Sequence, residues 1–245
     1  MTAAVVFCSG WSTGPKAWDA VIAALPQDAP AAHLNWWDGL TDPAGAMKDA
    51  AARANAAAGN AADAPVAAAA WSLGGQIALK AALAAPELFS ALLLLATPVR
   101  LLADESGLGA DAASLRAMRQ GLRRDAKGIV QAFWAEALAG DRTGFDFDDI
   151  PAILAPLDAK ALDAGLAALA ETDLRRLLPR IAVPTVAMQG DDDRIVGAHA
   201  AQQLADGLPQ VTVLAVAGGS HALPLTHPRM VAEVLAALTG AGEER

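Results

Sequence analysis

The stretch Trp71-Ser72-Leu73-Gly74-Gly75 lies where a run of small apolar residues, 65 to 71, gives way to helical spacing. A serine at such a junction, with small residues around it, marks a turn tight enough to thrust its hydroxyl above a sheet. The same turn sets it at a helix N-terminus, whose amides favour an anion. Ala70 stands where the motif has its first glycine and is small enough to be tolerated. Ser72 alone could equally be an ordinary helix N-cap. A serine hydroxyl is a poor nucleophile until a base removes its proton, so the chemistry requires an acid and then a histidine further along the chain.

Three histidines follow Ser72. His221 lies in "AVAGGSHALPLTHP", after the last apolar run and before the last helical pattern, where a loop can reach back over a sheet edge. His227 reads as a helix-start residue beside Pro228, and His199 sits within a helical pattern. The acid should follow the preceding strand, "PTVAMQG". The Gly-x-x-Asp-x-x-Val spacing there selects Asp193, with Asp192 as the alternative one register earlier. An Asp run can also hold a metal, but no second cluster with ligand spacing accompanies it.

Acyl transfer also needs two N–H donors for a tetrahedral oxyanion. Leu73 supplies one by following the nucleophile, and Trp11 the other, because Gly10 permits a tight turn after the first strand. Cys8, one residue before that turn, has no such elbow and reads as a packed core thiol. Trp11, Trp71, Phe133, Trp134 and Leu73 are candidates for an apolar substrate slot, although burial alone would explain large aromatics equally well.

These residues must be positioned by something. Apolar runs at 3 to 8, 31 to 36, 65 to 71, 91 to 96, 183 to 189 and 211 to 216 read as strands. Helical patterns at 15 to 25, 43 to 59, 74 to 85, 197 to 207 and 227 to 239 lie between or after them. The alternation predicts an α/β fold with right-handed crossovers and a mostly parallel sheet covered on both faces. From about 100 to 178 the rhythm breaks into successive helices. That gives a core of 1–99 and 179–245 with a helical insertion, 100–178, emerging at the carboxyl edge of the sheet.

A net charge of −9 argues against a general nucleic-acid surface. The longest apolar stretches fall short of the roughly 18 to 20 residues that span a bilayer. The opening 1–7 reads as a strand and not as a basic leader with a cleavage site, so a soluble cytoplasmic protein is expected. One cysteine excludes an intrachain disulfide and a multi-thiolate metal site. The sequence shows no phosphate loop, dinucleotide fingerprint or metal-ligand cluster, so no cofactor is expected.

Ser9-Gly10-Trp11, "AWSLGGQIALKAALAAPELFSALLLLATP", "LAETDLRRLLPRIAVPTVAMQGDDDRIV" and "AGGSHALPLTHP" together resemble the α/β-hydrolase superfamily. Within it they look most like the BioH type, the pimeloyl-acyl-carrier-protein methyl ester carboxylesterases of biotin synthesis. The resemblance implies Ser72 as nucleophile, Asp193 as acid, His221 as base, and Trp11 and Leu73 as oxyanion donors. It also implies a sheet of about six strands without the leading hairpin, with a helical cap that receives the acyl chain and the carrier protein. Ser9 departs from the His-Gly of many relatives. In the cap, Arg116, Arg119, Arg123, Arg124 and Lys127 fall in one helical pattern opposite Leu115, Met118, Leu122 and Ile129. A basic stripe on an acidic protein suits an acidic acyl carrier protein, or is simply a solvated face. Esterases of broader short-acyl specificity and a binding protein on an inactive hydrolase scaffold are the competing readings. A dehalogenase would carry Asp at position 72. A monomer is expected.

Overall fold

The computed structural model describes residues 3–25, 30–156 and 158–240. The reading of the chain's opening rests partly on Met1 and Thr2, which lie outside the described residues. Apolar runs, rich in Val and Ala and in β4 in Leu, build the strands β1 (Val5–Cys8), β2 (Ala31–Leu34), β3 (Val66–Trp71), β4 (Phe89–Leu95), β5 (Thr185–Gly190) and β6 (Val211–Val216). They form one sheet in the order β2-β1-β3-β4-β5-β6, with every neighbouring pair parallel. β3 is buried along its whole length and β4 at every residue but Ser90, as expected of central strands covered on both faces.

The helices of the sheet layers are α1 (Asp19–Ala24), α2 (Pro43–Ala58) and α3 (Leu73–Ala84). Further along come α4 (Ala112–Ala137), α5 (Ile150–Ile153), α6 (Ala159–Glu171), α7 (His199–Gly207), α8 (Leu223–Thr226) and α9 (Pro228–Leu238). Asp42 caps α2 by accepting from the Gly45 amide at 2.9 Å, and Pro43 opens that helix where no N–H is missed. The winding direction reverses at β1: the chain steps outward to β2, then crosses back to β3. Right-handed crossovers then put α1 and α2 on opposite faces, with α1 against α9 and α2 against α3. A reversal of this kind opens a crevice at the carboxyl ends of the two strands beside it. Here those ends carry Ser9 to Thr13 and Ser72.

Between β4 and β5 the chain leaves the sheet and returns to the same place. The Leu174 amide bonds the Val99 carbonyl at 3.1 Å, and Arg175 joins Asp173 at 2.7 Å and also Asp104. α4, the longest helix in this segment, is not the single helix that its pattern suggests. Asp125 has non-helical dihedrals (φ −151°, ψ 76°), and its carboxylate accepts from the Gly128 amide at 2.8 Å. A carboxylate three residues before a free amide caps a new helix start, so the second half of α4 begins there. Arg116, Arg119, Arg123 and Arg124 therefore precede the kink and Lys127 follows it. Among the described residues no helix is long and apolar enough to cross a membrane.

The helix α3 sits unusually close to β1. A Cβ at Gly74 would lie 2.4 Å from the Cys8 carbonyl oxygen and 2.7 Å from that of Ser9. Gly74→Ala is therefore expected to lower the unfolding free energy by about 2 kcal/mol or more, since backbone has to move. Gly59→Ala meets nothing within 4 Å and should cost only about 1 kcal/mol for its left-handed backbone (φ 68°). Urea melts of the two variants compare them directly.

Candidate active site

Ser72 joins β3 to α3 with φ 55° and ψ −118°, a conformation that a side-chain-bearing residue adopts only under constraint. The constraint is visible on both sides. Its amide bonds the Leu95 carbonyl of β4 at 2.9 Å, and its carbonyl accepts from Gly75 at 2.9 Å. Gly75 packs against Thr97, leaving no room for a methyl group. Ala70 is fully buried in β3, paired in register with Cys8 and Leu94.

His221 Nε2 lies 3.1 Å from Ser72 Oγ, and His221 Nδ1 lies 2.9 Å from Asp193 Oδ2. All three side chains are buried. The Asp193 carboxylate also accepts from Gln189 Nε2 at 2.8 Å and from the Ile195 and Val196 amides at 2.8 and 3.0 Å. Burial pushes the Asp193 carboxyl up, but the His221 charge and the bonds from His221, Val196 and Ile195 outweigh it, so the group lies below the usual carboxylate range. An ionised carboxylate only accepts, so Nδ1 carries a proton, and in the neutral imidazole Nε2 is then free to accept from the serine hydroxyl.

The loops bearing Asp193 and His221 are themselves tied together. Asp191 accepts from the Gly218 amide at 2.6 Å, and a Cβ on Gly190 would fall 2.1 Å from the Gly219 carbonyl oxygen. Asp192 stays outside the contact, giving only its amide to the Gly219 carbonyl at 3.0 Å. His227 precedes α9 and meets Thr226 at 2.9 Å, while His199 opens α7; the imidazole hydrogen-bonded to Ser72 is that of His221.

The turn after β1 leans on the same serine, since a Cβ at Gly10 would stand 3.4 Å from Ser72 Cβ and 3.3 Å from the Trp71 ring. Among the described residues the amides of Trp11 and Leu73 are not engaged by backbone carbonyls. Ser9, the departure from the usual histidine, braces this loop: its hydroxyl donates to the Gly14 carbonyl at 3.0 Å and accepts from Trp18 Nε1 at 3.1 Å. Cys8 is fully buried and burial pushes its thiol up, which keeps it protonated.

Ser72 opens into a cavity of about 210 Å³ whose walls include Trp11, Leu115, Met118, Phe133, Leu166 and Val196. Trp71, Trp134 and Leu73, read from sequence as slot residues, do not line it. Trp71 is buried beneath the histidine loop, its indole N–H bonding the His221 carbonyl at 2.9 Å. Trp134 is buried with its N–H on Ser12 Oγ at 3.1 Å. Leu115 and Met118 could have been found from the apolar side of the α4 pattern, whereas Leu166 and Val196 become neighbours only through the fold. The basic residues also divide. Arg119 grips Asp163 of α6 through two bonds of 2.6 and 3.2 Å, holding that carboxyl below its usual range. Arg116, Arg123, Arg124 and Lys127 are exposed. Among the described residues no group of three or more His, Cys, Asp or Glu is gathered as a metal site.

Residues 5–234 match the Alpha/beta hydrolase family. The chain belongs to that family. The pimeloyl-[acyl-carrier protein] methyl ester esterase of Xanthomonas oryzae pv. oryzae is 33% identical to this hydrolase over 174 residues, 67% of either chain. Among solved structures, an esterase from Exiguobacterium antarcticum superposes with TM-score 0.80 at 16% identity, covering 97% of this chain and 92% of its own. A hydrolase from Oleispira antarctica gives TM-score 0.82 at 13% identity, over 97% and 91%. At such identities these two show the fold, which agrees with the parallel sheet expected from sequence.

Because the folded Asp193 carboxyl lies below its ordinary value near 3.9, its ionised form stabilises the folded hydrolase above that range, and the contribution disappears as pH falls through the lowered value. Asp193→Asn should therefore be clearly less stable than wild type at pH 7. The gap should narrow as pH falls below about 4, where the carboxyl of the unfolded chain takes up its proton while the folded one is still ionised. Unfolding free energies measured from pH 7 to pH 3 test this.

Proposed function

We propose that this carboxylic ester hydrolase cleaves the methyl ester of pimeloyl-acyl carrier protein, with Ser72, His221 and Asp193 as its catalytic residues. The reading is carried by one observation: a serine, an imidazole and an ionised carboxylate stand in unbroken hydrogen-bonded sequence at the floor of an apolar cavity. The relative from Xanthomonas oryzae, named for this ester, supports the choice of substrate.

Ser72 Oγ attacks the ester carbonyl while His221 Nε2 takes its proton, and Asp193 stabilises the imidazolium that forms. The amides of Trp11 and Leu73 receive the oxyanion. His221 returns the proton to the departing methoxide, releasing methanol and leaving acyl-Ser72. Water activated by the same imidazole then frees the acid. No cofactor takes part. The helical segment, 100–178, acts as the cap over this site. The exposed Arg116, Arg123, Arg124 and Lys127 dock the acidic carrier, while Arg119 keeps α4 against α6. The enzyme works as a monomer in the cytoplasm.

A broader short-acyl esterase is the second reading. It is favoured by the cavity, which at about 210 Å³ is below the roughly 300 to 1,000 Å³ of drug-sized sites.

The deciding assay is hydrolysis of pimeloyl-acyl carrier protein methyl ester beside a free short-chain ester. The carrier-bound ester should turn over with the higher kcat/KM, and Ser72→Ala should lower both rates by about 10⁴-fold or more. Faster turnover of the free ester would favour the second reading. Arg116→Glu with Arg123→Glu should raise KM for the carrier-bound ester about tenfold or more and leave the free ester unchanged. An unchanged KM would remove the docking role.

A further inference from the structure

The helical segment does more than roof the cavity. Five of its contacts fall on the catalytic loops. Trp134 of α4 donates its indole N–H to Ser12 Oγ at 3.1 Å, in a fully buried bond. The Ser12 carbonyl accepts from the Ala155 amide at 3.0 Å, and the Gly14 amide donates to the Ile153 carbonyl at 3.0 Å. Trp11 Nε1 donates to the Leu162 carbonyl of α6 at 2.9 Å. One turn beyond Trp134, the Ala137 carbonyl accepts from the His221 amide at 3.1 Å. Residues three apart share a helix face, so a single face of α4 reaches both the loop after β1 and the histidine loop.

Ser12 is the sensitive point. Its φ of 67° lies in the left-handed region, which a serine holds only when its surroundings insist. The neighbouring residue, Trp11, carries the amide assigned to the oxyanion. A small relaxation of φ at Ser12 would swing that amide away from the place of the oxyanion above Ser72. Oxyanion donors act only when placed before the charge develops.

We propose that Trp134 is a positioning residue for the ester hydrolysis: by bonding Ser12 Oγ it holds the loop after β1 in its left-handed turn and so aims the Trp11 amide at the oxyanion. This rests on the reading of Ser72 as nucleophile and Trp11 as oxyanion donor. It makes α4, through its last turn, part of the transition-state machinery of a site whose nucleophile lies on another element. Trp134→Phe keeps an aromatic side chain but deletes the donor together with part of the buried indole volume, whereas Ser12→Ala deletes the acceptor alone.

The test uses the full chain with a p-nitrophenyl ester and a boronic acid that forms a tetrahedral adduct on the serine. Each single variant should lose about tenfold in kcat with KM within about twofold, and boronate affinity should fall by about the same factor. Both changes break the same bond, so the double variant should be no slower than the slower single one. A merely structural role would make kcat follow melting temperature. Here kcat should stay low in the double variant even where stability recovers because both partners of the bond are gone. The proposal is overturned if both single variants keep kcat within about twofold of wild type, or if their losses multiply in the double variant. Ser72→Ala run alongside separates the two levels: turnover surviving in it would sink the reading of the site, and this proposal with it.

Discussion

The approach of α3 to the end of β1 governs the rest of the structure. With a hydrogen in place of a side chain at Gly74, the first turn of α3 comes to rest on the carbonyls of Cys8 and Ser9. That contact fixes where the helix begins, and the chain has one residue, Ser72, in which to turn from strand to helix. The backbone conformation of Ser72 (φ 55°) is the geometric cost of the turn, and the hydroxyl is directed off the sheet as a consequence. The same proximity sets the Leu73 amide and the Gly10-Trp11 turn on either side of the serine.

Around this point the electrostatics are arranged against the default behaviour of a buried acid. A carboxyl removed from water normally keeps its proton. Asp193 remains ionised because donors converge on both its oxygens, two of them backbone amides from the turn that follows it. The sequence Asp-Arg-Ile-Val is thus a folding instruction as much as a chemical one, since the turn that solvates the carboxylate is made by the residues next to it. Trp71 gives the imidazole a comparable support by holding the His221 carbonyl from below.

The strands and their alternation with helices could be read from apolar runs, because burial on both faces leaves a plain mark on composition. The order serine, acid, histidine, taken with the Gly-x-x-Asp-x-x-Val spacing and the loop position of His221, pointed to the side chains that meet at 3.1 and 2.9 Å, with Asp192 left as an alternative. What could not be read were relations between elements. A large aromatic next to a reactive serine reads as a pocket wall, and only the fold shows Trp71 turned beneath the histidine loop and Trp134 against Ser12. Five cations at helical spacing read as one stripe until Asp125 breaks the helix and Asp163, more than forty residues away, engages Arg119. Ser9 was legible only as a departure, because its partners Gly14 and Trp18 become neighbours in a turn that the sequence does not specify.

Among the described residues, three other than glycine hold positive φ angles: Ser12 at 67°, Ser72 at 55° and Ala96 at 45°. Each lies just past the carboxyl end of a strand, β1, β3 and β4 in turn, so the unfavourable backbone of this molecule is gathered on one rim of its sheet. Strained segments are the first to relax when thermal energy rises, while central strands hold until the whole domain melts. Heating is therefore expected to separate two events, with turnover fading at temperatures where the parallel sheet is still intact and returning on cooling without any refolding of the core.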